Sequence, residues 1–114
     1  LLINPNDAKI RNLKNDDIVK VFNDRGSCLA GIKISDDVME GIVFLPVGAW
    51  YNPAVDDDTF CVHGNPNVLT DDIGCSSLSQ GPSAHSTLVQ IHKWEKDLPS
   101  ITIFNAPVLK KLKL

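Results

Sequence analysis

Apolar and polar positions alternate with a period of two over much of this chain, and a helical signal is confined to its start. Asn4-Pro5-Asn6-Asp7 opens a short helix. Asn4 suits the N-cap, Pro5 the first helical position, and Asp7 the positive end of the helix dipole. Ala8, Lys9, Ile10 and Arg11 continue it and Asn12 ends it, with Ala8, and Ile10 beside it, as candidates for the inward face. Asn15-Asp16-Asp17 turns into the first of two β-branched runs, residues 17–23 and 28–35, with Asp24-Arg25-Gly26-Ser27 between them. Gly26 is expected to supply the positive φ of that hairpin connection. Both runs are apolar on two faces, as in strands covered on both sides or closed into a barrel.

Ile42-Val43-Phe44-Leu45 predicts a short buried strand, and residues 54–63 an exposed acidic loop around Asp56-Asp57-Asp58. Ser86 to Lys93 alternates as a strand with Leu88 on one face and Val89 and Ile91 on the other. Ile101 to Phe104 reads as a short strand or extended tail, and Lys110, Lys111 and Lys113 as a frayed basic end. About six or seven short strands with one or two short helices predict a mainly β, small closed barrel, and residues 1–114 a single domain.

The chain is organised around the stretch from Gly64 to Gly81, too long for a tight turn between two strands. Connections of that length in a compact domain are usually functional or disordered. Val68, Leu69, Ile73 and Leu78 give this one apolar anchors, which argues for a pinned loop. It carries Asn65, Asn67, Thr70, Ser76, Ser77, Ser79 and Gln80, neutral groups suited to reading a polar ligand rather than to acid–base work. A second candidate is Gly48-Ala49-Trp50-Tyr51, read either as core packing or as an aromatic wall that Gly48 lets a ligand approach.

Composition narrows the function. A net charge of −3 speaks against a nucleic-acid binder, and no apolar run reaches the length of a bilayer span. Cys28, Cys61 and Cys75 are odd in number and imply no disulfide framework. Cys61, His63, Cys75 and His85 match no structural zinc spacing, and the run of three aspartates reads as a solvated face. The abrupt start at Leu1-Leu2-Ile3 is read as that of a piece of a longer protein.

Several phrases, in order, carry a resemblance: Ile3-Asn4-Pro5-Asn6-Asp7-Ala8, Val21-Phe22-Asn23-Asp24-Arg25-Gly26 and Gly48-Ala49-Trp50-Tyr51-Asn52-Pro53. Asn67-Val68-Leu69-Thr70, Asp72-Ile73-Gly74 and Ser76-Ser77-Leu78-Ser79-Gln80-Gly81 complete it. Over nearly its whole length the chain resembles the C-terminal cofactor-binding domain of molybdopterin oxidoreductases of the dimethyl sulfoxide reductase family. It is most similar to the branch acting on trimethylamine N-oxide, dimethyl sulfoxide and biotin sulfoxide.

The resemblance implies a double-psi β-barrel closing over a bis(molybdopterin guanine dinucleotide) molybdenum cofactor held by the parent's other domains. It implies cofactor contacts from Gly48, Trp50, Asn67, Ser77, Gln80 and Gly81, with no catalytic residue and no metal ligand in this chain. It further implies an S- or N-oxide substrate, a cytochrome c-type electron donor, a periplasmic location with cytoplasmic relatives, and no activity of this segment alone. Val47 and Cys75 depart from the family, which often has a polar or acidic residue and a threonine there. A strand before Ile3 is also usual in the family. The alternative, from a different class, is a free-standing β-barrel module that binds a protein or peptide.

Overall fold

The structure, a computed structural model, describes residues 1–106, 108 and 109. The basic end at Lys110, Lys111 and Lys113 lies outside the described residues. Eight strands run in the order β1 (Leu2–Ile3), β2 (Ile18–Phe22), β3 (Ser27–Gly31), β4 (Lys33–Ile34), β5 (Val43–Phe44), β6 (Pro53–Ala54), β7 (Asp57–Cys61) and β8 (Gln90–Lys93). One α-helix, α1 (Pro5–Ile10), and two 3-10 turns, Pro66–Leu69 and Ala84–Ser86, complete the regular structure.

Helix α1 forms where its capping signals place it. Asn4 Oδ1 accepts from the Asn6 backbone N–H at 2.9 Å, and the helix stops at Asn12, whose φ is +53°. Ala8 is buried, but Ile10 is 79% exposed, because a six-residue helix turns only one narrow stripe toward the sheets.

β2 and β3 form the predicted antiparallel hairpin, in register from Ile18 opposite Gly31 to Phe22 opposite Ser27. Val19 and Val21 point into the core, and each stabilises the fold by roughly 1.5–3 kcal/mol through burial. The second apolar run, residues 28–35, breaks at Ile32. Ile32 donates to the Asp17 carbonyl and accepts from Asp16 N–H, both at 2.9 Å, so β4 leaves its neighbour and enters another sheet.

There are therefore two sheets, β4-β1-β5 and β6-β7-β3-β2-β8. β1 pairs parallel with β4, and β3 parallel with β7; the remaining pairings are antiparallel. The fold is mainly β, as expected, but neither sheet closes on itself among the described residues, in contrast to the predicted closed barrel. Ile3, Ala8, Leu13, Val19, Val21, Cys28, Ile32, Cys61 and Leu69 form one core between them. The two-faced pattern of β2 has another cause. Its outer face carries Lys20, 5.0 Å over the Phe60 ring, and Phe22, edge-on to His92 at 4.9 Å.

Other expectations change in ways the chemistry explains. The acidic stretch is a hairpin rather than a loop, with β6 paired to β7 and Asp56, Asp57 and Asp58 all exposed. The strand expected from Ser86 is confined to Gln90–Lys93, since Ala84–Ser86 is a 3-10 turn closed by the Thr87 hydroxyl on the Ala84 carbonyl. Residues 101–104 make no strand; Asn105 N–H closes a turn on the Thr102 carbonyl at 2.9 Å.

Candidate functional site

Three backbone segments converge on the β2–β3 turn, and glycine is what lets them meet. Gly26 does not have the positive φ expected of it. An ideal Cβ there would instead lie 2.6 Å from both the Thr59 and the Val68 carbonyl oxygens. Asn23 ties the same point together through its side chain. Its Nδ2 donates to the carbonyls of Leu69 at 2.8 Å and Leu88 at 3.1 Å, while its Oδ1 accepts from the N–H groups of Arg25 and Gly26. Arg25 adds Nε on the Leu69 carbonyl at 2.8 Å and Nη1 on Asp71 at 3.1 Å.

Held by these bonds, Asn65-Pro66-Asn67 repeats the start of α1. Asn65 Oδ1 caps the 3-10 turn by accepting from Asn67 N–H at 2.9 Å, and Leu69 buries its side chain in the core. Asn67 is exposed at the top of this turn, and its side-chain amide has no hydrogen-bond partner among the described residues. It faces an open cavity of about 500 Å³ lined by Arg25, Tyr51, Asp58, Thr59, Asn65, Asn67 and Val68. The Tyr51 hydroxyl is anchored on the Asp58 carbonyl. Thr59 donates its hydroxyl, and then its N–H, to Asp57, holding that carboxyl below its usual range. Two amides, two hydroxyls, a guanidinium, a carboxylate and an aromatic ring line the cavity, a set suited to a flat polar heterocycle with donors and acceptors on its edge.

Of the expected cofactor contacts, the cavity is lined by Asn67 alone, while Trp50 adjoins Tyr51 and is 77% exposed. Gly48 lies in the same open stretch with φ of +114° and free space around it. Ser77, Gln80 and Gly81 belong to a separate self-closed hairpin. Cys75 N–H donates to the Gly81 carbonyl at 2.9 Å, Ser76 N–H to Ser79, and Gln80 Nε2 to the Ser76 carbonyl at 3.0 Å. The organising loop is thus pinned only in its first half; Ile73 and Leu78, expected as anchors, are 60% and 98% exposed.

Arg25, Asp58 and Thr59 were not among the expected site residues, whereas Asn65 belongs to the loop's ligand-reading groups and Tyr51 to the candidate aromatic wall named from the sequence. The signal for Asn65 was present, since Asn-Pro-Asn had already been read as a cap at Asn4. Among the described residues no group of three or more His, Cys, Asp or Glu side chains is placed to hold a metal ion, and no helix is long and apolar enough to cross a membrane.

A profile of the molydopterin dinucleotide binding domain matches residues 1–88. The chain belongs to that family. The match takes in α1, the β2–β3 turn and the whole stretch from Gly64 to Gly81, so the cavity and the separate hairpin both fall within the family domain. Among curated relatives, the trimethylamine-N-oxide reductase of Salmonella typhimurium is 49% identical over 110 residues, 95% of this chain and 13% of that protein. Trimethylamine-N-oxide reductase 1 of Escherichia coli strain K12 is 47% identical over 104 residues, 90% of this chain and 12% of that protein. The trimethylamine-N-oxide reductase of Vibrio cholerae is 42% identical over 107 residues, 93% of this chain and 13% of that protein. This family domain therefore spans about an eighth of the length of the relatives it matches.

Proposed function

We propose that residues 1–114 are a single cofactor-binding domain of a molybdenum-dependent reductase that removes oxygen from an S- or N-oxide such as trimethylamine N-oxide, dimethyl sulfoxide or biotin sulfoxide. The bound group is bis(molybdopterin guanine dinucleotide) molybdenum, shared with the remaining domains of the parent. The observation that carries this reading is Asn67. Its amide is exposed and unpartnered among the described residues, at the lip of a cavity lined mainly by polar residues, on a turn that Asn23 and Arg25 pin through the Leu69 carbonyl.

The donor set fits the group. A pterin edge offers alternating donors and acceptors to the amides of Asn67 and Asn65, and a phosphate can meet Arg25 Nη2, the guanidinium nitrogen that Leu69 and Asp71 leave free. Gln80, Ser77 and Gly81, on the separate hairpin, supply a second set of contacts, and Gly48 and Trp50 an adjoining wall. When bound, the cofactor supplies oxygen-atom and two-electron chemistry, while this chain's residues bind it, orient it and keep water away. The two sheets are the halves of a double-psi β-barrel, a reading supported by the parallel pairings of β1 with β4 and β3 with β7. The exposed side chains of Val47, Trp50, Val55 and Leu78 are suited to cover by the parent's other domains. A periplasmic parent with a cytochrome c-type electron donor completes the proposal.

The test is to purify the full-length parent and assay it with trimethylamine N-oxide, dimethyl sulfoxide and biotin sulfoxide. Reduction of at least one, with molybdenum and guanine nucleotide present in the protein, is expected. A folded protein without either would contradict the proposal.

A further inference from the structure

Asn23 is only half-buried, yet all the hydrogen-bonding capacity of its amide is used within the fold. Both donor positions go to carbonyls far along the chain, Leu69 and Leu88, and Oδ1 closes its own turn. The Leu69 carbonyl is the informative partner, because Leu69 is the last residue of the 3-10 turn that carries Asn67. The same oxygen also takes Arg25 Nε, so two charged or polar side chains from one hairpin turn converge on a single acceptor. Carbonyls at the end of so short a helix have few partners within it, and outside donors then decide where its last residues sit.

We infer that Asn23 and Arg25 are positioning residues for the cofactor contact of Asn67. They fix the height and direction of the turn, and so place the Asn67 amide within reach of the ligand without touching the ligand at Asn23. The inference rests on the proposed function and deepens it by assigning the β2–β3 turn a role beyond joining two strands. The fold alone does not require this arrangement. A hairpin connection needs neither a long-range amide donor nor a guanidinium at these places, and the register of β2 with β3 is complete before Asn23.

The experiment is a double-mutant cycle in the full-length holoenzyme with Asn23→Asp, Asn67→Ala and the pair together. Asn23→Asp keeps the Oδ1 acceptor and the side-chain shape, removes the donations to Leu69 and Leu88, and sets a carboxylate oxygen against those two carbonyls. The readouts are molybdenum and guanine nucleotide content and, as a measure that mere destabilisation would not move, the absorption spectrum of cofactor still bound. Asp17→Asn, which breaks the ion pair to Lys93 on the same sheet, serves as the stability control.

Asn67→Ala and Asn23→Asp are each expected to lower cofactor retention roughly fivefold, and the pair no further than either alone. Asn23→Asp should shift the spectrum as Asn67→Ala does, while Asp17→Asn leaves it unchanged. If Asn67→Ala has an effect and Asn23→Asp has none, or the two effects add, the positioning role is overturned and the proposed site stands. If Asn67→Ala has no effect, both fall. Where Asn23→Asp does not yield folded protein, Asn23→Ser takes its place in the cycle, since its single hydroxyl donor cannot serve both the Leu69 and the Leu88 carbonyl.

Discussion

Gly26 and Val68 approach so closely that a single methyl group would separate them: a Cβ on Gly26 would sit 2.6 Å from the Val68 carbonyl oxygen. Both obstructing atoms, this oxygen and that of Thr59, are backbone and cannot swing aside. Gly26→Ala is therefore expected to cost about 1–3 kcal/mol, as overpacking a close-packed site does. A clear drop in thermal midpoint checks this, and an unchanged midpoint would show that the segments part at no cost.

Asn4 and Asn65 make the same cap with different consequences. Each accepts from the N–H two residues on at 2.9 Å, and Asn4 also donates to the Val38 carbonyl at 2.8 Å. Replacing either by Ala removes a cap worth ~1 kcal/mol. Asn4→Ala is predicted to lower thermal stability and leave cofactor content alone, whereas Asn65→Ala lowers cofactor content because Asn67 loses its support. Thermal melts paired with metal analysis separate the two.

How far the sequence was legible follows from which forces are local. The Asn4 cap, the β2–β3 hairpin and the exposed Asn67 were readable because caps, alternation and turn residues act over a few positions. The close approach at Gly26 was not, since its cause lies 33 residues away at Thr59 and 42 away at Val68. Nor was the break at Ile32, whose apolar pattern continues smoothly while its backbone partners at Asp16 and Asp17 redirect the chain. Arg25 looked like an ordinary turn residue until Leu69 and Asp71 stood opposite it.

Asp17 gives the fold an acid-sensitive contact. The Lys93 ammonium, hydrogen-bonded to it at 2.9 Å, and then the Lys14 N–H hold its carboxyl below the ordinary value of 3.8. A carboxyl depressed in the folded state favours folding above its unfolded pKa and loses that contribution as pH falls through its folded pKa. Asp17→Asn is thus expected to be less stable than the parent protein near pH 7, with the gap closing below about pH 4. Melts across that range check it; a gap independent of pH would contradict the assignment.

The cysteines should differ sharply in reactivity. Cys28 and Cys61 pair across β3 and β7 in the core, and burial pushes the Cys28 thiol up to about 12, whereas Cys75 lies exposed. Iodoacetamide on the native protein is expected to alkylate Cys75 and spare Cys28 and Cys61, with all three modified in denaturant. Peptide mass spectrometry reads the pattern, and native labelling of Cys28 would refute this core.

The most direct test of the cofactor-binding role is the molybdenum and guanine nucleotide content of the full-length protein carrying Asn67→Ala with Gln80→Ala. Two lost polar contacts at about 1 kcal/mol each predict roughly a tenfold or greater drop in retained cofactor, in a protein whose circular dichroism is unchanged. Cofactor content equal to that of the unmodified protein would contradict the account.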